Sequence, residues 1–308
     1  MNQERSKGIV GIFILITLLF FIFIVFAFYT LSTLKNGDKI SQGFNDKDGP
    51  IAVVEVSGVI MDSEATVKKL IKAEKDKTVK AIIVRVNSPG GAVGPTQEVY
   101  EEIRRIDLDV KPVYASFGTV AASGGYYIGA ACRKIYANAG AMTGSIGVIM
   151  NFMNLQKLYE FAKVRPEIIK AGKYKDIGSA SREMTVEERQ LLTEMTDNVH
   201  EQFISDIYKV RESKIVGGLD GLRKYAQGQI FSGQGAKERG LVDEIAGLWQ
   251  AGRLITKELG LKEDEFGFKF IKLKKEFSMS DIFTEIEQTV EDIKLNVQGY
   301  SVPLYLHK

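Results

Sequence analysis

A serine at position 123 stands between two alanines and two glycines in the run VAASGGYYIGAAC, residues 120–132. A serine hydroxyl is a poor nucleophile until a base removes its proton. The small neighbours let backbone approach closely, and the pattern puts Ser123 in the first turn of a helix carrying Tyr126, Tyr127, Ile128, Ala130 and Ala131. Unsatisfied N–H groups at a helix start favour a developing oxyanion. A second stretch, VNSPGGAV (86–93), ends a strand in two glycines, so the N–H groups of Gly91 and Gly124 are candidates to converge on one oxygen. That arrangement would be an oxyanion hole. Read singly, Ser-Gly-Gly is a common loop and Pro-Gly-Gly an ordinary turn. Read together they point to acyl transfer. The phosphate-loop pattern G-x-x-x-x-G-K-[ST] is absent, which leaves nucleotide binding the poorer explanation.

The base is less obvious. Only His200 and His307 are available, the first beside an apolar helical stripe and the second next to the C-terminus. Suspicion moves to lysine, and KAGKYKDIGSASREMT (170–185) supplies Lys170, Lys173 and Lys175. A lysine titrates near 10.4, so a shift of roughly 3 units, about 4 kcal/mol of destabilised charge, is needed for a useful neutral fraction. Such a base requires apolar shielding and a hydroxyl to orient the amine. Ser145, in AMTGSIGVIM (141–150), is a candidate for that hydroxyl, against the plainer reading of a turn serine. Cys132 is the only cysteine, read as a packed apolar residue, and excludes an intrachain disulfide. No metal or cofactor is expected.

The elements that must position these groups follow from periodicity. Short β-branched runs alternate with helical stretches: strand (51–60), helix (63–76), strand (79–91), helix (95–106) with Pro95 near its start, and strand (111–118) leading to Ser123. The order β-α-β-α-β indicates an α/β domain. The stretch 185–214 opens with Thr185 and Glu188 as a capping box, and Leu192, Met195, Val199, Phe203 and Ile207 predict one buried face. Toward the end, 262–277 is charged and strand-like, and Ile282, Ile286, Val290, Ile293 and Val297 trace a helical stripe.

Before the domain lie 27 residues without a formal charge, 8–34, which as a helix would extend roughly 40 Å against a hydrocarbon core of about 30 Å. No small-residue cleavage site follows, so the run is read as an uncleaved single-pass anchor. Arg5 and Lys7 precede it, which favours a cytoplasmic N-terminus (1–7) and an extracytoplasmic body at the cell membrane. A polar tether (35–50), a catalytic domain (51–260) and a C-terminal extension (261–308) complete the division. With 41 basic against 39 acidic residues, no nucleic-acid partner is implied.

Four stretches, NSPGG, AASGGYYIG, TGSIGV and GKYKDIGSASREMT, in this order behind an apolar N-terminal run, resemble the signal peptide peptidase A family of bacteria in its short form. The resemblance covers roughly 51–258 and implies the spiral of ββα units shared by the Clp protease proteolytic subunit and crotonases. It further implies Ser123 as nucleophile, Lys175 as general base, Ser145 as the serine bonded to that lysine, and Gly91 and Gly124 as oxyanion donors. Family members are ring or dome homo-oligomers in which neighbouring subunits supply serine and lysine. Their substrates are remnant signal peptides and other apolar, unfolded segments bound as extended strands. Two other readings stay open: a crotonase-type acyl-CoA enzyme on the same fold, and a catalytically inactive membrane-anchored oligomeric scaffold.

Overall fold

A computed structural model of the protein describes residues 49–273 and, before them, Phe20, Phe21 and Phe26, which are helical. The chain divides into two compact units, residues 1–47 and 48–308. Most of the apolar run 8–34, the stripe 282–297 and His307 lie outside the described residues, and among those described no helix is long and apolar enough to cross a membrane.

The second unit begins with three βα steps. They are β1 (Ile51–Ser57), α1 (Glu64–Lys75), β2 (Ala81–Ser88), α2 (Val93–Asp109), β3 (Val113–Ala122) and α3 (Gly124–Ala130). There follow β4 (Lys134–Ala137), β5 (Met142–Gly144), α4 (Gln156–Phe161), α5 (Val186–Arg211), α6 (Gly218–Tyr225) and β6 (Ile230–Ser232). Then come α7 (Gly233–Glu238), β7 (Glu244–Ile245), α8 (Leu248–Glu258), a 3₁₀ turn (Glu263–Glu265) and β8 (Phe268–Phe270). One sheet runs β6-β5-β3-β2-β1-β8, with β4 joined to β3 and β7. Every pairing is parallel except β5 with β6. The predicted β-α-β-α-β order is present, with Pro95 in the first turn of α2.

Parallel strands covered on both faces must be apolar on both, which is why IAVVEV and AIIVRV read as nearly unbroken runs. The pleat sends alternate residues to opposite cores. Val54, Val84 and Ala115 meet Leu70 of α1, Ile103 of α2 and Ile128 of α3. Val53, Ile83 and Tyr114 meet Ile255 of α8 and Phe268.

The capping box at Thr185 and Glu188 forms as predicted, starting α5. The predicted stripe is buried only in its second half. Phe203 and Ile207 are covered, Leu192 and Val199 half-covered, while Met195 is 49% exposed. Tyr127 of α3 packs edge-on against Phe203 at 4.8 Å between ring centroids, and nothing among the described residues covers Met195.

Candidate active site

Ser123 joins β3 to α3 with φ 51° and ψ −120°. This left-handed conformation is strained for a residue with a Cβ and is the type of strand-to-helix elbow that presents a nucleophile. Two backbone bonds hold it: the Ser123 N–H donates to the Gly144 carbonyl at 2.9 Å, and the Tyr127 N–H donates to the Ser123 carbonyl at 2.9 Å. The hydroxyl has no hydrogen-bond partner among the described residues, and Ser123 lines a small apolar cleft.

The glycine turn after β2 is pressed against this elbow. Gly90 has φ +109°, and a Cβ on it would stand 2.8 Å from the Gly124 nitrogen. Gly91 bridges to Ile60, and a Cβ there would fall 2.0 Å from the Ile60 carbonyl oxygen. Only glycine fits either place. Ser88 fixes the turn by accepting from the Gly90 N–H at 3.1 Å. The Gly91 nitrogen in turn lies 3.3 Å from where a Gly124 Cβ would stand. Neither the Gly91 nor the Gly124 N–H donates to an acceptor among the described residues, the latter because a first helical residue has none within its helix. Two free donors beside a nucleophile are the arrangement that stabilises a tetrahedral oxyanion.

Ser145 comes beside Ser123 through sheet pairing, not through sequence proximity, and is not among the residues lining the cleft. Ala122 of β3 pairs with Gly144 of β5, so Ser145 follows beside Ser123. It too is left-handed, at φ 49°, with its N–H donating to the Gln229 carbonyl at 2.6 Å. Its hydroxyl has no partner among the described residues. If it orients the catalytic amine, Ser145→Ala lowers kcat by about 10- to 100-fold with KM unchanged, since misplacing a reacting group has costs of this order. Complete loss of turnover, or a rise in KM alone, would assign Ser145 a different role; steady-state kinetics on a chromogenic peptide separates these outcomes.

The lysines part company in the structure. Lys170 bonds Asp176 and the Lys173 carbonyl, and Lys173 pairs with Glu187 at 2.5 Å. Bonding to Glu187 pushes the Lys173 amine upward, the wrong direction for a base. The Lys175 amine has no side-chain partner among the described residues. It is exposed, and it is not among the residues lining the cleft at Ser123. Within one chain, therefore, the cleft has Ser123, Gly91 and Gly124 and, among the described residues, no lysine.

Several contributors escaped the sequence reading. Arg182 clamps the lysine segment, bonding Asp176 through Nε at 2.9 Å and Glu188 through Nη1 at 2.8 Å. Its guanidinium holds the Glu188 carboxyl down at about 2. The cleft walls come from Thr96 and Gln97 of α2, Tyr127 of α3, Val148, and Val199 and Phe203 of α5. The Tyr127 hydroxyl donates to Asp206 at 2.5 Å, and burial with that carboxylate pushes its ionisation far upward. His200, beside Val199, carries a buried Nε2 without a partner among the described residues, and lines no part of the cleft. Cys132 is fully buried, and burial raises its thiol well above the ordinary range, in keeping with a packing role. Among the described residues no cluster of His, Cys, Asp or Glu could hold a metal.

Residues 105–262 match the family described as Peptidase family S49, and residues 52–144 match the Clp protease family. A putative protease of Synechocystis is 39% identical over 216 residues, 70% of this chain and 76% of that one. A putative signal peptide peptidase SppA of Enterococcus faecium is 33% identical over 222 residues, 68% of this chain and 62% of that one. Protease 4 of Salmonella typhi is 31% identical over 209 residues, 65% of this chain and 33% of a much longer protein. With these relatives and a Clp-protease-like α/β domain, the chain is a serine peptidase and belongs to peptidase family S49.

Proposed function

We propose that the protein is a membrane-anchored, homo-oligomeric endopeptidase that degrades cleaved signal peptides and other apolar unfolded segments outside the cytoplasm, using Ser123 with Lys175 of a neighbouring copy. The observation that supports this reading is the cleft itself: Ser123 lines it together with Gly91 and Gly124, whose N–H groups are unbonded among the described residues, and no lysine lines it.

The Lys175 segment lies among side chains that a second copy would cover. Phe161 is 87% and Ile169 fully exposed, with Phe152, Val186 and Met195 also open to solvent. Apolar exposure on this scale marks an interaction surface. In the assembled site the Lys175 amine takes the Ser123 proton as Oγ attacks the scissile carbonyl carbon. The Gly91 and Gly124 N–H groups hold the resulting oxyanion. The ammonium then returns the proton to the leaving amine, freeing one product and leaving an acyl ester on Ser123. Water, deprotonated by the same amine, releases the second product and restores the serine. The cleft walls Val93, Tyr127, Val148, Val199 and Phe203 suit an uncharged side chain next to the cut.

A fluorophosphonate probe tests the reading. Mass spectrometry is expected to find one adduct, on Ser123, and Lys175→Ala to slow its formation at least 100-fold, because a serine without its base is a weak nucleophile. A crotonase-type enzyme, with no nucleophilic serine, would leave Ser123 unlabelled. An inactive scaffold would show no peptide turnover for either substitution to abolish.

A further inference from the structure

The parallel strands give the domain two unlike ends. Ser123 follows the C-terminal end of β3, while the chain enters at Gly49 and Pro50, beside the N-terminal ends of β1 and β2. The Lys80 N–H donates to the Pro50 carbonyl at 2.7 Å, and the Ile82 N–H to the Pro112 carbonyl at 2.9 Å, so the entry point, the α1–β2 turn and the α2–β3 turn are contiguous. Helices α1 and α2 run back against the strands and therefore finish at this same end. The ammonium of Lys111 ties the two together, donating to the carbonyls of Ala73, Asp76 and Val79 at 3.2, 3.0 and 3.1 Å.

The corner of this end where α1 and α2 finish is basic and apolar at once, whereas the side before β8 carries the exposed acids Glu263, Asp264 and Glu265. Leu108 and Val110, closing α2, are 68% and 47% exposed. Lys75, Lys77 and Lys80 are exposed and have no carboxylate partner among the described residues. The neighbouring acids are engaged elsewhere: Glu74 with Arg105 at 2.7 Å, Asp76 with Lys269 at 2.9 Å, and Asp107 with Arg133 at 2.6 Å. Asp109 is the one acid of the α2 terminus left exposed. Exposed Leu and Val ringed by lysines, where the chain arrives from an uncharged run of 27 residues through a polar tether, match the chemistry of an anionic bilayer surface. Apolar side chains enter the headgroup layer and ammonium groups meet lipid phosphates. We infer that this corner of the domain, where α1 and α2 finish, docks on the anionic headgroup layer of the membrane, holding the cleft at Ser123 at the far end of the sheet. β1 alone, 7 residues long, puts roughly 23 Å between the two ends at about 3.3 Å per residue.

The test uses the full chain in lipid vesicles. Because Cys132 is buried, a single introduced cysteine takes an environment-sensitive fluorophore: Val110→Cys on the docking end, or Met61→Cys beside the Ile60–Gly91 bridge at the catalytic end. In phosphatidylglycerol-containing vesicles the label at 110 is expected to shift to the blue and to lose acrylamide accessibility severalfold. The label at 61 stays water-exposed. Replacing Lys75, Lys77 and Lys80 together by Glu should abolish the shift at 110 while leaving peptide hydrolysis in detergent unchanged. Equal behaviour of the two labels, a shift indifferent to lipid charge, or a blue-shifted label at 110 already in lipid-free detergent oligomers would overturn the docking. The last outcome would assign the face to contact between copies. None of these results depends on Ser123 or Lys175, so the peptidase reading stands or falls separately.

Discussion

Co-expressed Ser123→Ala and Lys175→Ala chains are expected to recover activity that neither has alone. Each substitution by itself is expected to lower kcat/KM by at least about 10³-fold, since nucleophile and base act as a unit and removing either removes the covalent route. In a mixed oligomer, a Lys175→Ala chain still offers Ser123 and a Ser123→Ala chain still offers Lys175. If each site takes its two members from adjacent chains, random assembly of equal amounts completes about one site in four, so activity returns to roughly a quarter of the wild-type level. A dyad built within one chain predicts no recovery, whatever the mixing. The experiment thus tests sharing of the site directly, through a large signal against an inactive background. Its basis is the cleft at Ser123, which includes Val148, Val199 and Phe203 and excludes the lysine segment, together with the exposed Phe161 and Ile169 around that segment.

How much of this was legible in the sequence depended on the range of the signal. The β-α-β-α-β order could be read because each step is local: buried parallel strands appear as unbroken β-branched runs, and helices as 3.6-residue periodicity. The elbow was legible too, since only small residues tolerate backbone packed as closely as Gly90 is against Gly124. Ser145 could be named but not placed, because its position beside Ser123 arises from the pairing of Ala122 with Gly144, a relation between segments that no local pattern encodes. Ser88 passed as part of a turn, although its hydroxyl anchors that turn. The choice among three lysines was closed to spacing and needed the family resemblance; the structure adds a physical distinction, as Lys170 and Lys173 are held by Asp176 and Glu187. The stripe on α5 was read as wholly buried because hydrophobic periodicity reports that a face will be covered, not by which chain. Met195, exposed here in the first half of α5, is where that difference shows.

Replacing Phe203 is expected to change which peptides are cut. The residue whose carbonyl is attacked must place its side chain in the cleft beside Ser123, and that cleft ends on a stack of rings: Tyr100 on Tyr127 at 4.6 Å, and Tyr127 on Phe203 at 4.8 Å. The stack is rigid because Asp206 ties it twice, accepting the Tyr127 hydroxyl through its carboxylate and the Tyr100 hydroxyl through its carbonyl at 2.9 Å. The Tyr127 hydroxyl is thereby committed, and the floor offers a substrate little but hydrocarbon. Leucine, valine or alanine at the scissile position should then be preferred over phenylalanine, because a ring has to displace Phe203. Each methylene gained or lost in an apolar pocket is worth about 1–3 kcal/mol. Phe203→Leu, which keeps the helix face apolar while shortening the floor, should raise the ratio of kcat/KM for phenylalanine over leucine peptides by about tenfold, and Phe203→Ala by more. Truncating a buried phenylalanine also costs about 3–5 kcal/mol of stability, so thermal unfolding must show that the alanine variant is folded at the assay temperature. The leucine variant serves if it is not. An unchanged ratio in a folded leucine variant would show that the substrate side chain does not rest on Phe203, and would shift the specificity pocket away from α5.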